Sequence, residues 1–131
     1  MKEQKDILNI DDIKILVDSF YEKVRQDDVL ASIFNGIIKD NWSKHLDKMY
    51  RFWQTVLLKE HTYYGSPFSP HAKLPVDEKH FNRWKKLFFE TIEENFMGDK
   101  ADEAKWRAEK MAKMFQMKIK YYQNTQAKPL L

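Results

Sequence analysis

The sequence contains no cysteine, only three glycines and only four prolines among its 131 residues. Without cysteine there are no disulfide bonds, no thiolate catalysis, no iron–sulfur clusters and no cysteine-ligated zinc sites. So few glycines and prolines leave few turns, which argues against a many-stranded β protein. No apolar run approaches the roughly 18 residues of a membrane span. The first twelve residues, MKEQKDILNIDD, are too charged for a secretory signal. We therefore expect a cytoplasmic protein that does not associate with membranes.

What is present indicates one globular domain. Hydrophobic residues make up 43% of the chain and charged residues 33%, a balance typical of a folded protein. We expect a single domain over residues 1–131, with a core of about 10–123 and mobile tails. The net charge of +3 is small and lysine and glutamate are interspersed along the chain, which favours a solvated surface over nucleic-acid binding. Aromatic residues reach 15%, enough to line a pocket for a flat apolar ligand.

Apolar residues recur at helical spacing in most of the chain. The pattern predicts helices over about 10–25, 42–59 and 76–97, a short helical turn over 29–35 ended by Gly36, and a last helix to about residue 123. Asn9, Asn41 and Asp99 are the expected N-caps. Residues 1–8 are expected to be a polar tail or a frayed turn, and residues 60–75, which hold three of the four prolines, to be irregular. The alternation typical of strands is nowhere convincing, so the predicted fold class is all-α.

Two histidines come from separate elements that could face each other across a cavity. His45 shares the inward side of its helix with Trp42 and Met49. His71 lies in the segment GSPFSPHAKLPVDEKHFNRW, residues 65–84. A histidine among apolar side chains is more often a hydrogen-bonded core residue than a ligand, so both interpretations stay open on spacing alone. His61 and His80 are expected at the surface.

Other chemistries have less support. The sequence has no HExxH motif and no local set of two histidines and a carboxylate, which disfavours a non-haem metal site. Aspartate and glutamate fall on the polar faces of the predicted helices, so paired carboxylates for acid–base catalysis have no inward candidates. A Ser–His–Asp arrangement stays open, although no nucleophile motif accompanies it.

Three blocks carry a resemblance to a known family. FYEKVRQDDVLASIF, WSKHLDKMYRFW and GSPFSPHAKLPVDEKHFNRWKKLF resemble group III truncated haemoglobins in both order and spacing. The segment H-x-x-L-P followed by H-F-x-x-W is the most specific part, and the resemblance extends over about residues 10–125. It implies a truncated globin fold, a two-over-two helical sandwich around haem b. Pro70 directly before His71 is a departure from ordinary globins, and stiffens that segment.

The resemblance also implies roles for individual residues. His71 corresponds to the proximal iron ligand, and Tyr21, His45 and Trp84 correspond to distal residues that stabilise the gas ligand. Propionate partners are less defined, and the candidates are Arg51, Tyr63 and Lys73. The candidate apolar lining of the haem pocket comprises Phe20, Phe34, Leu46, Met49, Trp53, Leu74, Phe81 and Phe88.

The function implied is tight oxygen binding for redox or gas chemistry rather than transport. Buried donors on Tyr21 and Trp84 would retain oxygen, because charge-assisted hydrogen bonds in a dry pocket are strong. Nitric oxide and carbon monoxide are further expected ligands, as are cyanide and peroxide, and the activities expected are nitric-oxide dioxygenase or peroxidase-like. Either would need an external reductase, since no flavin-binding domain is present. A gas or redox sensor acting through a separate partner is the alternative function. We expect a monomer.

Overall fold

The computed structural model describes residues 4–65 and 75–127, and the side chains of residue 122 and residues 124–127 lie outside that description. The described part contains five helices: α1 (Ile10–Gln26), α2 (Ala31–Ile38), α3 (Trp42–Leu58), α4 (Glu78–Asn95) and α5 (Asp99–Ala127). The all-α prediction is confirmed, and the predicted bounds of α1, α3 and α4 agree with the structure to within two residues. The predicted turn over 29–35 is wrong in its end, because Gly36 lies inside α2.

The core forms where α1 crosses the other long helices. The helix α1 packs against α2, α3 and α4, while α5 packs against α4 and α3. The apolar positions of α1 at helical spacing are almost completely buried, among them Ile13, Leu16, Val17 and Val24. This agrees with the sequence pattern, since one continuous apolar stripe on α1 meets partners on both sides. Within the described residues, no helix is long and apolar enough to span a membrane.

The N-terminal segment corrects our expectation of a polar tail. Ile7 is fully buried, and the backbone of Lys5 forms an isolated parallel bridge with Phe96. The carboxylate of Asp6 accepts hydrogen bonds from the backbone N–H groups of Lys100 and Ala101, both at 2.9 Å. Those N–H groups lie in the first turn of α5, where the helix itself offers them no acceptor. Residues 4–8 therefore form a clamp on the α4–α5 corner.

Two of the three predicted residues occupy the N-cap position, and only one of these caps its helix with a side-chain hydrogen bond. Asn9 and Asp12 form a capping box at the start of α1. At α3, Asn41 is the N-cap residue as predicted, but its side chain makes no capping hydrogen bond. At α5, Asp99 is the first helical residue rather than the cap, and the capping carboxylate comes from Asp6, more than ninety residues earlier in the chain. This last contact is long-range, and local spacing contains no signal for it.

Two aspartates contradict our expectation that acidic residues occupy only polar faces. Asp12 is 2% exposed and Asp27 is 6% exposed. The Asp12 carboxylate accepts from the backbone N–H groups of Leu8 and Asn9 and pairs with Lys5. Each buried carboxylate is thus compensated by backbone donors and a cation, the arrangement that a buried charge requires. Both are structural caps and are not paired with each other.

Candidate functional site

Tyr21 is the buried polar group at the centre of the candidate site. It lies on the inward face of α1, beside Phe20, and is 7% exposed. Burial raises the pKa of its phenol above the ordinary value, so the hydroxyl keeps its proton throughout the physiological range. Among residues 4–65 and 75–127, the hydroxyl donates no hydrogen bond to another group. A protonated hydroxyl that makes no hydrogen bond to the described residues can donate to a polar ligand in this region.

His45 lies edge-on to Tyr21 across the gap between α1 and α3. The two ring centroids are 5.0 Å apart and the ring planes are nearly perpendicular. Trp42, one helical turn before His45, contacts both rings at 5.9 Å, also edge-to-face. The guanidinium of Arg25 covers the Trp42 ring at 4.6 Å, a cation–π geometry. The structure therefore brings together Tyr21 and His45, two of the residues to which the resemblance implied a distal role, inside a larger aromatic cluster.

Trp84 reaches the same region from α4. Its ring stacks on Phe88 at 5.4 Å with nearly parallel planes, and it meets Phe20 edge-on at 5.6 Å. Phe20 in turn contacts Tyr21 at 4.9 Å, so a single ring separates Trp84 from Tyr21. Within the described part of the chain, the indole N–H donates to no acceptor. Two donors from different helices thus border one apolar region.

The face of α3 next to this region is apolar and incompletely covered. Large side chains remain half-buried there although they pack against the core: Trp42, Leu46, Met49, Phe52 and Val56. Only Trp53 and Leu57 on this helix are buried. A helix that exposes so much apolar area gains from a further apolar partner, at roughly 25 cal/mol for each Å² covered. This face fits the flat apolar haem that the resemblance implies.

The predicted apolar lining separates into two groups. Phe20, Trp53 and Phe88 are at most 4% exposed and pack on one another, with Trp53 stacked on Phe88 at 5.0 Å. The half-buried group consists of Phe34, Leu46, Met49 and Phe81. All of these except Phe81 belong to, or pack against, one hydrophobic cluster with Tyr21 and Trp84. Leu74 lies outside the described residues.

The candidate propionate partners occupy less defined positions. Arg51 is exposed and already forms an ion pair with Asp47 on its own helix, at 2.8 Å. Tyr63 packs edge-on against Phe52 at 5.5 Å, and its backbone N–H donates to the Thr55 hydroxyl. An anionic group near Arg51 would have to compete with Asp47. Lys73 lies outside the described residues.

The remaining histidines can be placed only in part. His71 lies outside the described residues, so its role as the iron ligand stays a prediction. His61 is exposed, as expected. His80 is not a free surface residue, because its Nδ1 accepts the backbone N–H of Asp77 and completes a capping box at the start of α4. Among the described residues, no group of three or more histidines and carboxylates could hold a metal ion.

Sequence reasoning missed three residues that shape this site. Trp42 was placed on the same face of its helix as His45, yet its contact with Tyr21 was not predicted. Its position three residues before His45 was the available signal, since residues at that spacing share a helix face. Arg25 and Asp27 gave no signal, because their partners are Trp42 and Arg83, on other helices.

Comparisons with known proteins agree with this architecture. The family model of the bacterial-like globins matches residues 8–120. The chain is 34% identical over 119 residues to a group 3 truncated haemoglobin of Campylobacter jejuni, covering 88% of this chain and 94% of that protein. A crystal structure of a group III truncated haemoglobin from Campylobacter jejuni superposes with a TM-score of 0.82 at 33% identity, covering 89% of this chain and 95% of that one.

Proposed function

Because the chain belongs to the bacterial-like globin family, we propose that it binds haem b through His71 and holds oxygen beside Tyr21, His45 and Trp84. Globins bind haem, and they bind diatomic gases such as oxygen. When bound, haem supplies an iron that accepts a gas ligand. The residues of this chain determine how long that ligand stays and what it reacts with. The observation that carries the proposal is the buried, protonated Tyr21 hydroxyl next to the His45 ring.

The protein groups act mainly as preorganised donors. Tyr21 retains its proton because burial raises its pKa, and the edge contacts with Phe20 and His45 restrict where the ring can move. A hydrogen bond from such a donor to a partly charged ligand contributes roughly 1–3 kcal/mol. Since about 1.4 kcal/mol corresponds to a factor of ten, Tyr21 and Trp84 together would slow oxygen release by about a hundredfold or more.

Slow release favours chemistry over transport. We propose that the protein converts nitric oxide and oxygen into nitrate, or reduces peroxide. Conversion of nitric oxide and oxygen into nitrate consumes one electron, and reduction of peroxide to water consumes two electrons and two protons. An external reductase must therefore return these electrons. We further propose that the protein acts as a monomer in the cytoplasm.

The absorption spectrum tests the proposal first. We expect a Soret band for the ferric protein that shifts on reduction with dithionite and again with carbon monoxide. His71→Ala should lose the histidine-ligated spectrum and regain it with added imidazole. His61→Ala is the matched control, since this histidine is exposed, and its spectrum should not change. A wild-type protein that shows no bound Soret band with added haem would refute haem binding.

The reaction has its own test. Oxygenated protein mixed with nitric oxide should yield one nitrate for each iron oxidised. If oxygen dissociates and no nitrate forms, the protein binds oxygen without converting nitric oxide, and the dioxygenase proposal is wrong. Peroxide consumption by the ferric protein, measured with an organic reductant, separates the second activity from the first.

A further inference from the structure

An ion pair between the buried carboxylate of Asp27 and the partly exposed guanidinium of Arg83 links the α1–α2 turn to α4, at the residue before Trp84. The Asp27 side chain is 3% exposed, and its Oδ1 accepts from Arg83 Nε at 2.6 Å. Its Oδ2 accepts from the backbone N–H groups of Val29 and Leu30, both at 3.0 Å. All these contacts are directional, so the carboxylate fixes the turn and the guanidinium together. Of the described ion pairs that residues of α4 form, this pair has the most deeply buried carboxylate.

Trp84 directly follows Arg83. Its own ring contacts, with Phe88 and Phe20, allow the indole to shift parallel to the ring plane. Its ring is almost parallel to that of Phe88, at 3°, and it touches Phe20 with an edge. Stacked aromatic rings attract each other at many lateral offsets, so these contacts restrict tilt more than position. The height of the indole N–H relative to Tyr21 therefore depends on where α4 sits against α1. Of the ion pairs formed by the two chain neighbours of Trp84, the Asp27–Arg83 pair is the one that joins α4 to the end of α1, whereas Lys85 pairs with Glu109 on α5.

We propose that Arg83 is a positioning residue, which through its ion pair with Asp27 holds the Trp84 indole N–H at the gas-binding side of the pocket. This inference rests on the proposed function, in which Trp84 donates a hydrogen bond to the ligand. Arg83 itself does not touch the ligand. Without its partner, the buried Asp27 carboxylate loses a compensating charge, and the turn and α4 relax to rehydrate it.

The test measures the position of Trp84 and the release of oxygen separately. We expect Arg83→Gln to move the indole N–H resonance of Trp84, identified by its absence in Trp84→Phe, in protein labelled with ¹⁵N-tryptophan. Oxygen dissociation should become about fivefold faster, as for a weakened hydrogen bond. Arg83→Lys, which keeps the charge, should recover at least part of both effects.

A matched control and a double-mutant cycle exclude a merely structural role. Lys85→Gln removes another ion pair of α4, with Glu109 on α5, and should leave the Trp84 resonance and the off-rate unchanged. In a Trp84→Phe background, Arg83→Gln should have no further effect on the off-rate. An equal effect in both backgrounds would overturn the proposal, as would an unmoved Trp84 resonance. If the wild-type protein binds no haem, the proposed function fails, and the indole resonances still decide whether Arg83 positions Trp84.

Discussion

Removing the Asp6 carboxylate, which caps α5 from the N-terminal segment, should destabilise the protein more than removing the carboxylate of Asp99, the first residue of α5. Asp6 accepts the backbone N–H groups of Lys100 and Ala101 at 2.9 Å, together with that of Ile7 at 2.8 Å. In Asp6→Ala, the two donors of α5 lose their acceptor. Asp99→Ala, by contrast, removes only a charge in the first turn, because Asp99 does not cap the helix.

The expected magnitudes follow from these contacts. Loss of an N-cap costs about 1 kcal/mol, within a range of roughly 0.5–2. Loss of a negative charge near the positive end of the helix dipole adds about 0.3–1 kcal/mol. Asp6→Ala should therefore lower the free energy of unfolding by about 2 kcal/mol, and Asp99→Ala by less than about 1 kcal/mol. For a domain of this size, 2 kcal/mol corresponds to a decrease in Tm of roughly 8 °C.

Urea denaturation of the haem-saturated proteins, followed by far-ultraviolet circular dichroism, measures both values. Burial by itself raises the pKa of Asp6, but the backbone N–H groups of Lys100, Ile7 and Ala101 outweigh it, and the net pKa is lowered. A lowered folded pKa gives stability that is complete above the unfolded pKa of about 4 and lost as the pH falls below it. The difference between wild type and Asp6→Ala should therefore narrow below pH 4. Equal effects of Asp6→Ala and Asp99→Ala would refute the clamp as the cap of α5.

Three further outcomes are expected. Tyr21→Phe should speed oxygen dissociation about tenfold by removing one donor, and an unchanged off-rate in stopped-flow replacement by carbon monoxide would exclude its donor role. Gly98→Ala should lower the free energy of unfolding by more than about 1 kcal/mol, because a Cβ there would lie 2.6 Å from Asp6 Cγ at a φ of +137°. Gly36→Ala is the control, because nothing lies within 4 Å of a Cβ at that position, and its stability in urea should be equal to that of the wild type or higher. Equal losses of stability in both variants would contradict this account. Burial by itself raises the pKa of Asp27, but Arg83 and the backbone donors outweigh burial, and the net pKa is lowered. The stability that the Asp27 carboxylate contributes is therefore lost as the pH falls below about 4. Asp27→Asn should make the free energy of unfolding less dependent on pH below that value, and an unchanged acid transition would count against this role of Asp27.

Helix positions were predictable because their signal is local. The apolar stripe of α1 repeats at the helical period, and Asn9 lies where a cap must lie, so burial and capping agree with the sequence there. The same stripe placed Tyr21 at its edge, and the spacing on α3 placed His45 one turn after Trp42 on the same face. The segment around His71 gave the family resemblance through residue types in order, a signal that requires no coordinates.

What the tertiary structure decided is which distant groups meet. Asp6 and α5 are separated by more than ninety residues, Asp27 and Arg83 by 56, and nothing in a local pattern links the members of either pair. Burial of a carboxylate cannot be read from its sequence neighbours, because the backbone donors and cations that compensate it come from the folded chain. By itself, the sequence determined the long helices and their inward faces, and through the family resemblance it proposed the candidate ligand residues. Only the packing of those helices determined that the Tyr21 hydroxyl is buried beside His45, and that Trp84 comes within one ring of it, since both depend on where three separate helices cross.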